Sequence, residues 1–287
     1  MPSYHVGLPI LDVIFENNVP KDALTGGAVL NSCVSLARVG ADSHFVSAFC
    51  ADPVAKIFKE FFEKNKISTQ FMSESQHKSM VALAFKAAST VYEFRGDIPY
   101  QDMVQKFPEL TEKDIVQFGD YFVFDQDYQI DQIKAKSGKA TKYLDPNIRN
   151  SVNHQQMKKV IDSADILRMS DEDAESMYPG LSIIQILEKN PHLCGIFNTT
   201  EKTATYIGKG VSTSVQCPKI TPVSTIGAGD NFNAGVIYGM LKFGLTKANL
   251  NQANKSTIEQ VLNFGVKFAQ NVCMSSVNYV DEDFKPE

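Results

Sequence analysis

The chain lacks the marks of several large protein classes. There is no basic excess: 28 lysines and arginines face 33 aspartates and glutamates, a net charge of −5. Nucleic-acid binders carry the opposite balance, so no nucleic-acid partner is expected. There is no Cys-x-x-Cys pair. The five cysteines (Cys33, Cys50, Cys194, Cys217 and Cys273) lie far apart, which argues against a zinc ribbon or a thioredoxin-type site and for reduced thiols in a cytosolic protein. The five histidines (His5, His44, His77, His154 and His192) show no metal-ligand spacing. No apolar stretch approaches the ~20 residues of a membrane helix. Met1 to Ile10 has neither the basic start nor the long apolar run of a signal peptide. A cytoplasmic protein without a membrane partner is the expectation.

Familiar catalytic signatures are missing as well. Neither Gly-x4-Gly-Lys-Ser/Thr nor Gly-x-Gly-x-x-Gly occurs, which sets aside P-loop NTPases and dinucleotide dehydrogenases. Without Gly-x-Ser-x-Gly, hydrolase chemistry has no support. No internal repeat, low-complexity segment or long linker interrupts the 287 residues.

What is present is an alternation of strand-like and helix-like segments. Residues 4–15 read as one buried strand. Leu30, Cys33, Val34 and Ala37 form a helical stripe over 27–39. A strand follows at 44–49, and Asp52-Pro53 opens the next helix as N-cap and first position. Residues 80–86 and 90–95 are β-rich runs around Ala87-Ala88-Ser89, which suggests a hairpin in a small extra sheet. Alternation resumes with strand 121–124, helix 128–136, strand 141–145, helix 153–162, strand 165–169 and helix 181–190. Short β-runs at 194–199, 204–209 and 211–216 precede helices over about 230–243, ended by Gly244, and about 256–274. This pattern predicts an α/β fold with a mainly parallel sheet covered on both faces. Ligands in such folds lie outside the carboxyl ends of the strands.

Four stretches carry chemistry. Gly227-Ala228-Gly229-Asp230 stands where a helix begins, and the unpaired N–H groups and dipole there suit a phosphate or the charge that builds up in phosphoryl transfer. Asp230 lies at its mouth and is placed to take a proton from an alcohol; it is equally a favoured helix N-cap. Gly26-Gly27 and Asn31 begin an earlier helix, where Asn31 offers its amide to hydroxyl groups or faces solvent. Asp12 sits among apolar residues in a strand, a costly place unless it is paired or near solvent. Asp145-Pro146-Asn147-Ile148-Arg149 follows a strand and suits an anionic or polyhydroxy ligand, with Arg149 as a clamp, or is an ordinary Asp-Pro turn.

The order of these motifs resembles the ribokinase-like carbohydrate kinases of the PfkB family, over about residues 4 to 275. Gly26-Gly27-x3-Asn31 with Leu36-Ala37-Arg38-Val39-Gly40 is similar to the family's first signature. Thr225-Ile226-Gly227-Ala228-Gly229-Asp230-x-Phe232-x-Ala234-Gly235 is similar to the second, which is highly specific. Asp145-Pro146-Asn147-x-Arg149 and Glu93-Phe94-Arg95 resemble the branch of fructokinases and 2-keto-3-deoxygluconate kinases. The resemblance implies a Rossmann-like α/β fold and a single domain over 1–287. Its lid strands would be inserted at about 10–24 and 80–100, where family members often dimerise. It implies an ATP- and Mg²⁺-dependent transfer to a fructose-like ketose or a sugar acid. Asp12, Gly26, Gly27, Asn31, Arg95 and Arg149 would hold the sugar. Asn147, Thr200, Thr225, Gly227 and Gly229 would face the nucleotide. Gly227, Ala228 and Gly229 would form an anion hole, and Asp230 would be the base. Asp173 would approach Mg²⁺ through water.

Several family elements are altered. Ser224 stands where an Asp usually helps bind a monovalent cation, which counts against potassium dependence. Asn-x-x-Glu reads Ser170-Asp171-Glu172-Asp173. Thr-x-Gly-x-x-Gly reads Asn198-Thr199-Thr200-Glu201-Lys202-Thr203. Gly-x-Asp-x-x-Gly reads Cys50-Ala51-Asp52-Pro53-Val54-Ala55. These changes keep a second reading open, a catalytically weak sugar- or nucleotide-binding regulatory protein on the same fold. A nucleoside kinase is a third.

Overall fold

The first apolar run does not stay in one strand. In the computed structural model, which describes residues 1–86, 91–120, 122–125, 127–148 and 153–287, it breaks at Gly7-Leu8-Pro9 into β1 (Ser3–Val6) and β2 (Ile10–Glu16). The two strands belong to different sheets, so the expectation of a single strand over 4–15 is corrected. Proline lacks the N–H that a continuing ladder needs.

The chain continues through β3 (Val19–Gly26), α1 (Ala28–Arg38), β4 (Ser43–Cys50), α2 (Pro53–Lys64) and β5 (Met72–Ser75). Asp52 caps α2 as expected, accepting from the Ala55 N–H at 2.9 Å. Then come β6 (Met80–Lys86) and β7 (Val91–Arg95), an antiparallel pair. The expected turn residues Ala87, Ala88 and Ser89 lie outside the described residues.

Next are β8 (Ile115–Phe118), α3 (Ile130–Ser137), β9 (Thr141–Leu144), α4 (His154–Ile161) and β10 (Ile166–Ser170). The strand expected at 121–124 is displaced to 115–118. Asp120 accepts from the Phe122 N–H at 2.8 Å, an Asp turn that competes with sheet pairing just where the aromatic run suggested a strand. An unexpected helix, α5 (Asp171–Met177), follows β10 directly. Its Ser170–Asp173 capping box was readable as Ser-x-x-Asp. The chain ends with α6 (Ile183–Lys189), β11 (Gly195–Thr199), β12 (Thr203–Gly208), β13 (Ser212–Gln216), α7 (Ala228–Phe243) and α8 (Lys255–Cys273).

The nine-stranded sheet has the order β13-β12-β11-β10-β9-β8-β1-β4-β5. All its pairings are parallel except those of β12. Residue parity sends side chains to alternate faces. Leu144, Leu167 and Ile196 enter the core under α3, α4 and α6, while Tyr143, Ile166 and Phe197 enter the core under α7 and α8. The fold is α/β as expected, a large, mostly parallel sheet flanked by helices beside a smaller sheet.

The small sheet has the order β3-β2-β6-β7. Each of its two hairpins is pinched at the base. Gly27 has φ +115° and a Cβ there would stand 2.3 Å from the Leu8 carbonyl oxygen; Gly96 has φ +116° and meets the Ser79 carbonyl in the same way. Only glycine tolerates both the left-handed backbone and the crossing. Ser79 is fastened to the body by its N–H and hydroxyl, both donating to Asp52.

The five cysteines are free thiols, two of them buried. His5 is buried between Gln117 and Ser3, and burial lowers its pKa to about 4. Among the described residues no helix is long and apolar enough to cross a membrane.

Candidate active site at the carboxyl ends of the large sheet

The carboxyl ends of β9 and β10, the first turns of α1 and α7, and the small sheet enclose a cavity of about 340 Å³. Gly227, Gly229, Asp230, Asn31, Gly27 and Asp12 all line it, as do Asp145, Asn147, Asp173 and Thr225. Asn31 is 4% exposed and donates to Asp230 Oδ2 at 2.8 Å, so the solvent-facing alternative is wrong. A hydrogen bond to a charged group contributes about 1.5–3 kcal/mol. The Ser32 hydroxyl donates to the Asp230 carbonyl at 2.7 Å, which straps α1 to α7. Asn231 donates from its amide to the carbonyls of Gly227 and Asn278, both at 2.8 Å, and this fixes the glycine turn.

Asp12 enters from β2. Burial, helped by the charge of Asp230, pushes its pKa up to about 7. Gly26 stands behind it: a Cβ there would lie 2.6 Å from Asp12 Oδ2. Gly26 therefore makes room for the carboxylate and does not itself line the cavity. Ala82 and Ala84 pair with Asp12 and Ile14 across β6, keeping that face of the small sheet thin.

Alternation along β7 decides what the lid presents. Tyr92 and Phe94 are half-buried and line the cavity, while Val91, Glu93 and Arg95 are exposed on the other face. Arg95 pairs there with Glu93, away from the sugar position the resemblance implied. Thr200 closes the β11–β12 turn by accepting the Thr203 N–H at 2.9 Å and is not a lining residue. Asn147 adopts φ 43° at the cavity wall. Arg149 lies outside the described residues.

Three lining residues with charged or amide side chains were missed. Asn278 comes from the chain's end and packs against Gly227. Asp120 is 3% exposed, and burial raises its pKa to about 6. Arg168, in the middle of β10, is 7% exposed. It pairs with Asp145 at 3.3 Å and donates to Thr199 Oγ1 at 2.8 Å. Burial opposes its charge, and Asp145 and Asp173 more than offset this, raising its pKa. Asn233 donates to Asp145 and accepts from the Tyr143 hydroxyl, so the network reaches into the core. An arginine inside Ile166-Leu167-Arg168-Met169 carried the same signal as Asp12, a charge within an apolar strand.

Asp173 is heavily committed: Oδ2 accepts from the Ser170 N–H and hydroxyl, and Oδ1 from the Ile148 N–H. No cluster of three metal-ligating side chains occurs among the described residues. The donor set nevertheless fits a water-mediated magnesium ion, with the exposed Glu172 beside Asp173 on the cavity wall. Ser224 Oγ accepts from the Ile226 N–H at 3.2 Å, stiffening the turn before the anion hole.

A helix-end anion site, a carboxylate at its mouth and a two-sheet cavity define a ribokinase-like kinase. The chain belongs to the family described as pfkB family carbohydrate kinase, which matches residues 23–278. A sugar kinase of Pyrococcus horikoshii is 26% identical over 237 residues, covering 76% of this chain and 73% of that protein. The 2-dehydro-3-deoxygluconokinase of Haemophilus influenzae is 24% identical over 250 residues, covering 76% and 79%. The solved structure of a Xylella fastidiosa fructokinase with bound ATP superposes with a TM-score of 0.82 at 14% identity, covering 96% of this chain and 92% of that one.

Proposed function

We propose that this carbohydrate kinase transfers the γ-phosphoryl group of ATP to a hydroxymethyl group of a fructose-like ketose or a sugar acid. The observation that carries this reading is the Asn31–Asp230 hydrogen bond, within a cavity that Asp12 and the anion hole also line. Sugar-binding groups and the base are thereby held together across 199 residues of sequence. The whole chain, 1–287, acts as one domain with the small sheet as lid, in the cytoplasm.

Asp12, Asn31 and the Gly27 backbone hold the sugar hydroxyls, while Tyr92 and Phe94 cover the ring. Asp230 takes the proton of the acceptor hydroxyl as its oxygen bonds to the γ-phosphorus. The bond to the bridging oxygen breaks and ADP leaves. A helix N-terminus favours the carboxylate form of Asp230, so the proton moves late, once the alcohol is attacking. The N–H groups of the Gly227–Gly229 turn receive the charge that spreads over the phosphoryl oxygens. Magnesium, when bound, neutralises phosphate charge; Glu172 and Asp173 would hold it, Asp173 through water. Ser224 supports an enzyme that does not need potassium. A second copy on the outer face of the small sheet, where Phe15 and Phe85 stack at 4.8 Å, accompanies the proposal, and light scattering tests it.

The experiment is coupled ADP release with ATP, magnesium and a panel of ketoses, sugar acids and adenosine, with and without potassium. Turnover on one sugar is expected. Ligand binding without turnover would favour the regulatory reading, and turnover on adenosine alone the nucleoside kinase.

A further inference from the structure

Six carboxylates line the cavity: Asp12, Asp120, Asp145, Glu172, Asp173 and Asp230. Among the described lining residues the one cation is Arg168. A phosphoryl group carrying about two negative charges has to pass through this space. Backbone N–H groups alone supply only the partial charge of a helix end, about half a unit.

Arg168 is placed to supply the rest. A Cβ on Gly229 would lie 3.0 Å from its Nη1, 3.3 Å from Nη2 and 3.4 Å from Cζ. Both terminal nitrogens lie nearer that position than Cζ does, so the guanidinium meets the first turn of α7, the turn that forms the anion hole, obliquely by its Nη1–Nη2 edge. Its other neighbour is the Phe232 ring, 5.7 Å from Cζ. Its donors are under-used. Nη1 reaches Asp145 only at 3.3–3.5 Å, and Nη2 donates to Thr199. Nη2 carries two hydrogens and has one acceptor, Thr199, among the described residues. Nε is buried without a partner. A purely structural ion pair in such burial would be expected to saturate its donors.

We propose that Arg168 is a catalytic residue, whose guanidinium fork binds the phosphoryl group in transit opposite the N–H groups of the α7 turn. This rests on the kinase reading of the same site. Asp145, Asn233 and Tyr143 are the positioning set that aims the fork. A planar fork matches two phosphoryl oxygens, which a lysine ammonium does not.

Arg168→Gln alone leaves the buried Asp145 without its counter-charge, which by itself opposes folding. The informative variant is Arg168→Gln with Asp145→Asn, which removes both charges and keeps both shapes. Two quantities are measured beside its melting temperature: kcat on the sugar the parent uses, and the affinity for inorganic phosphate by calorimetry. The expected result is a folded double variant with kcat lowered about 10²–10³-fold, the loss typical of one transition-state donor, with sugar KM within about threefold. Phosphate binding falls about tenfold or more. If Arg168 merely neutralises Asp145, the double variant recovers parental kcat, and the proposal is overturned while the kinase reading stands. If the parent turns over no sugar, the kinase reading fails and phosphate binding decides. Loss in the double variant keeps Arg168 as an anion ligand, whereas unchanged binding or none in the parent overturns it. Should the double variant unfold, Arg168→Lys is read by the same quantities, and parental values there overturn the role of the fork.

Discussion

At the β9–β10 end of the cavity the functional groups hold one another by hydrogen bonds and charge, whereas at the small sheet strand alternation and ring contacts aim them. Asp145 is bonded to Arg168, Asn233 and the Asn147 N–H, and removing one partner strands another. On β7, Tyr92 and Phe94 face the cavity because they share a parity. The difference separates the demands of the two ends. Phosphoryl transfer needs fixed charge, and the network supplies it from the scaffold. Sugar binding needs a cover that tolerates exchange of side chains, and an alternating strand braced by apolar ring contacts supplies that.

Substitutions test this contrast. Asp230→Asn should lower kcat about 10²–10⁴-fold and leave the melting temperature close to the parent, since an amide oxygen still accepts from Asn31. An equal rate in the coupled ADP assay would remove Asp230 as base. Gly229→Ala puts a methyl against Arg168, and shifting the turn by a few tenths of an ångström should cost about 10–100-fold in kcat; steady-state kinetics with unchanged sugar KM would sharpen the assignment. Phe94→Ala at the lid should instead raise sugar KM about tenfold with kcat nearly kept, the loss of roughly 1.5 kcal/mol of apolar contact. A kcat effect there would break the division between the two ends.

Asp12 lies between the ends and gives a pH dependence. Its folded pKa, about 7, exceeds the ordinary 3.8. The folded protein therefore retains a proton that the unfolded chain gives up. That contribution is complete below about pH 3.8 and lost above about pH 7. Asp12→Asn should thus be more stable than the parent at pH 8, by about 1–3 kcal/mol, with the gain shrinking toward pH 5; parallel melting curves at both pH values check it. The smallest effect belongs to Arg95→Ala. An exposed pair with Glu93 contributes at most about 1 kcal/mol, so sugar KM should stay within about twofold of the parent, and a larger rise would mean that the lid turns Arg95 inward.

The local part of this site was legible in the sequence. Gly227, Gly229 and Asp230 announce a helix start. Asp12 was legible as a misfit charge. Arg168 showed the same misfit, two residues before the readable Ser170–Asp173 helix start. Arg95 was assigned by motif, although the alternation Val91-Tyr92-Glu93-Phe94-Arg95 already opposed it to the aromatic residues. Asn278 was not legible at all: its place beside Gly227 is made by the closing of the chain's end onto α7, which no local pattern encodes. The strand at 121–124 failed because a side-chain turn at Asp120 outcompeted the apolar pattern.

The two pinched glycines set the mechanics of the lid. Each hairpin of the small sheet enters and leaves the body at one crossing, Leu8 with Gly27 and Ser79 with Gly96. A flap sewn on at two points swings about the line through them. That line passes through Gly27, which also lines the cavity. Gly27 therefore sits on the axle of the small sheet, where displacement during a swing is least; Phe94 lies two residues from the other crossing, and the β2–β3 turn at Asn17-Asn18 is the far rim. A swing of the small sheet would leave Asn31 and Asp230, both on helices of the body, in their hydrogen bond.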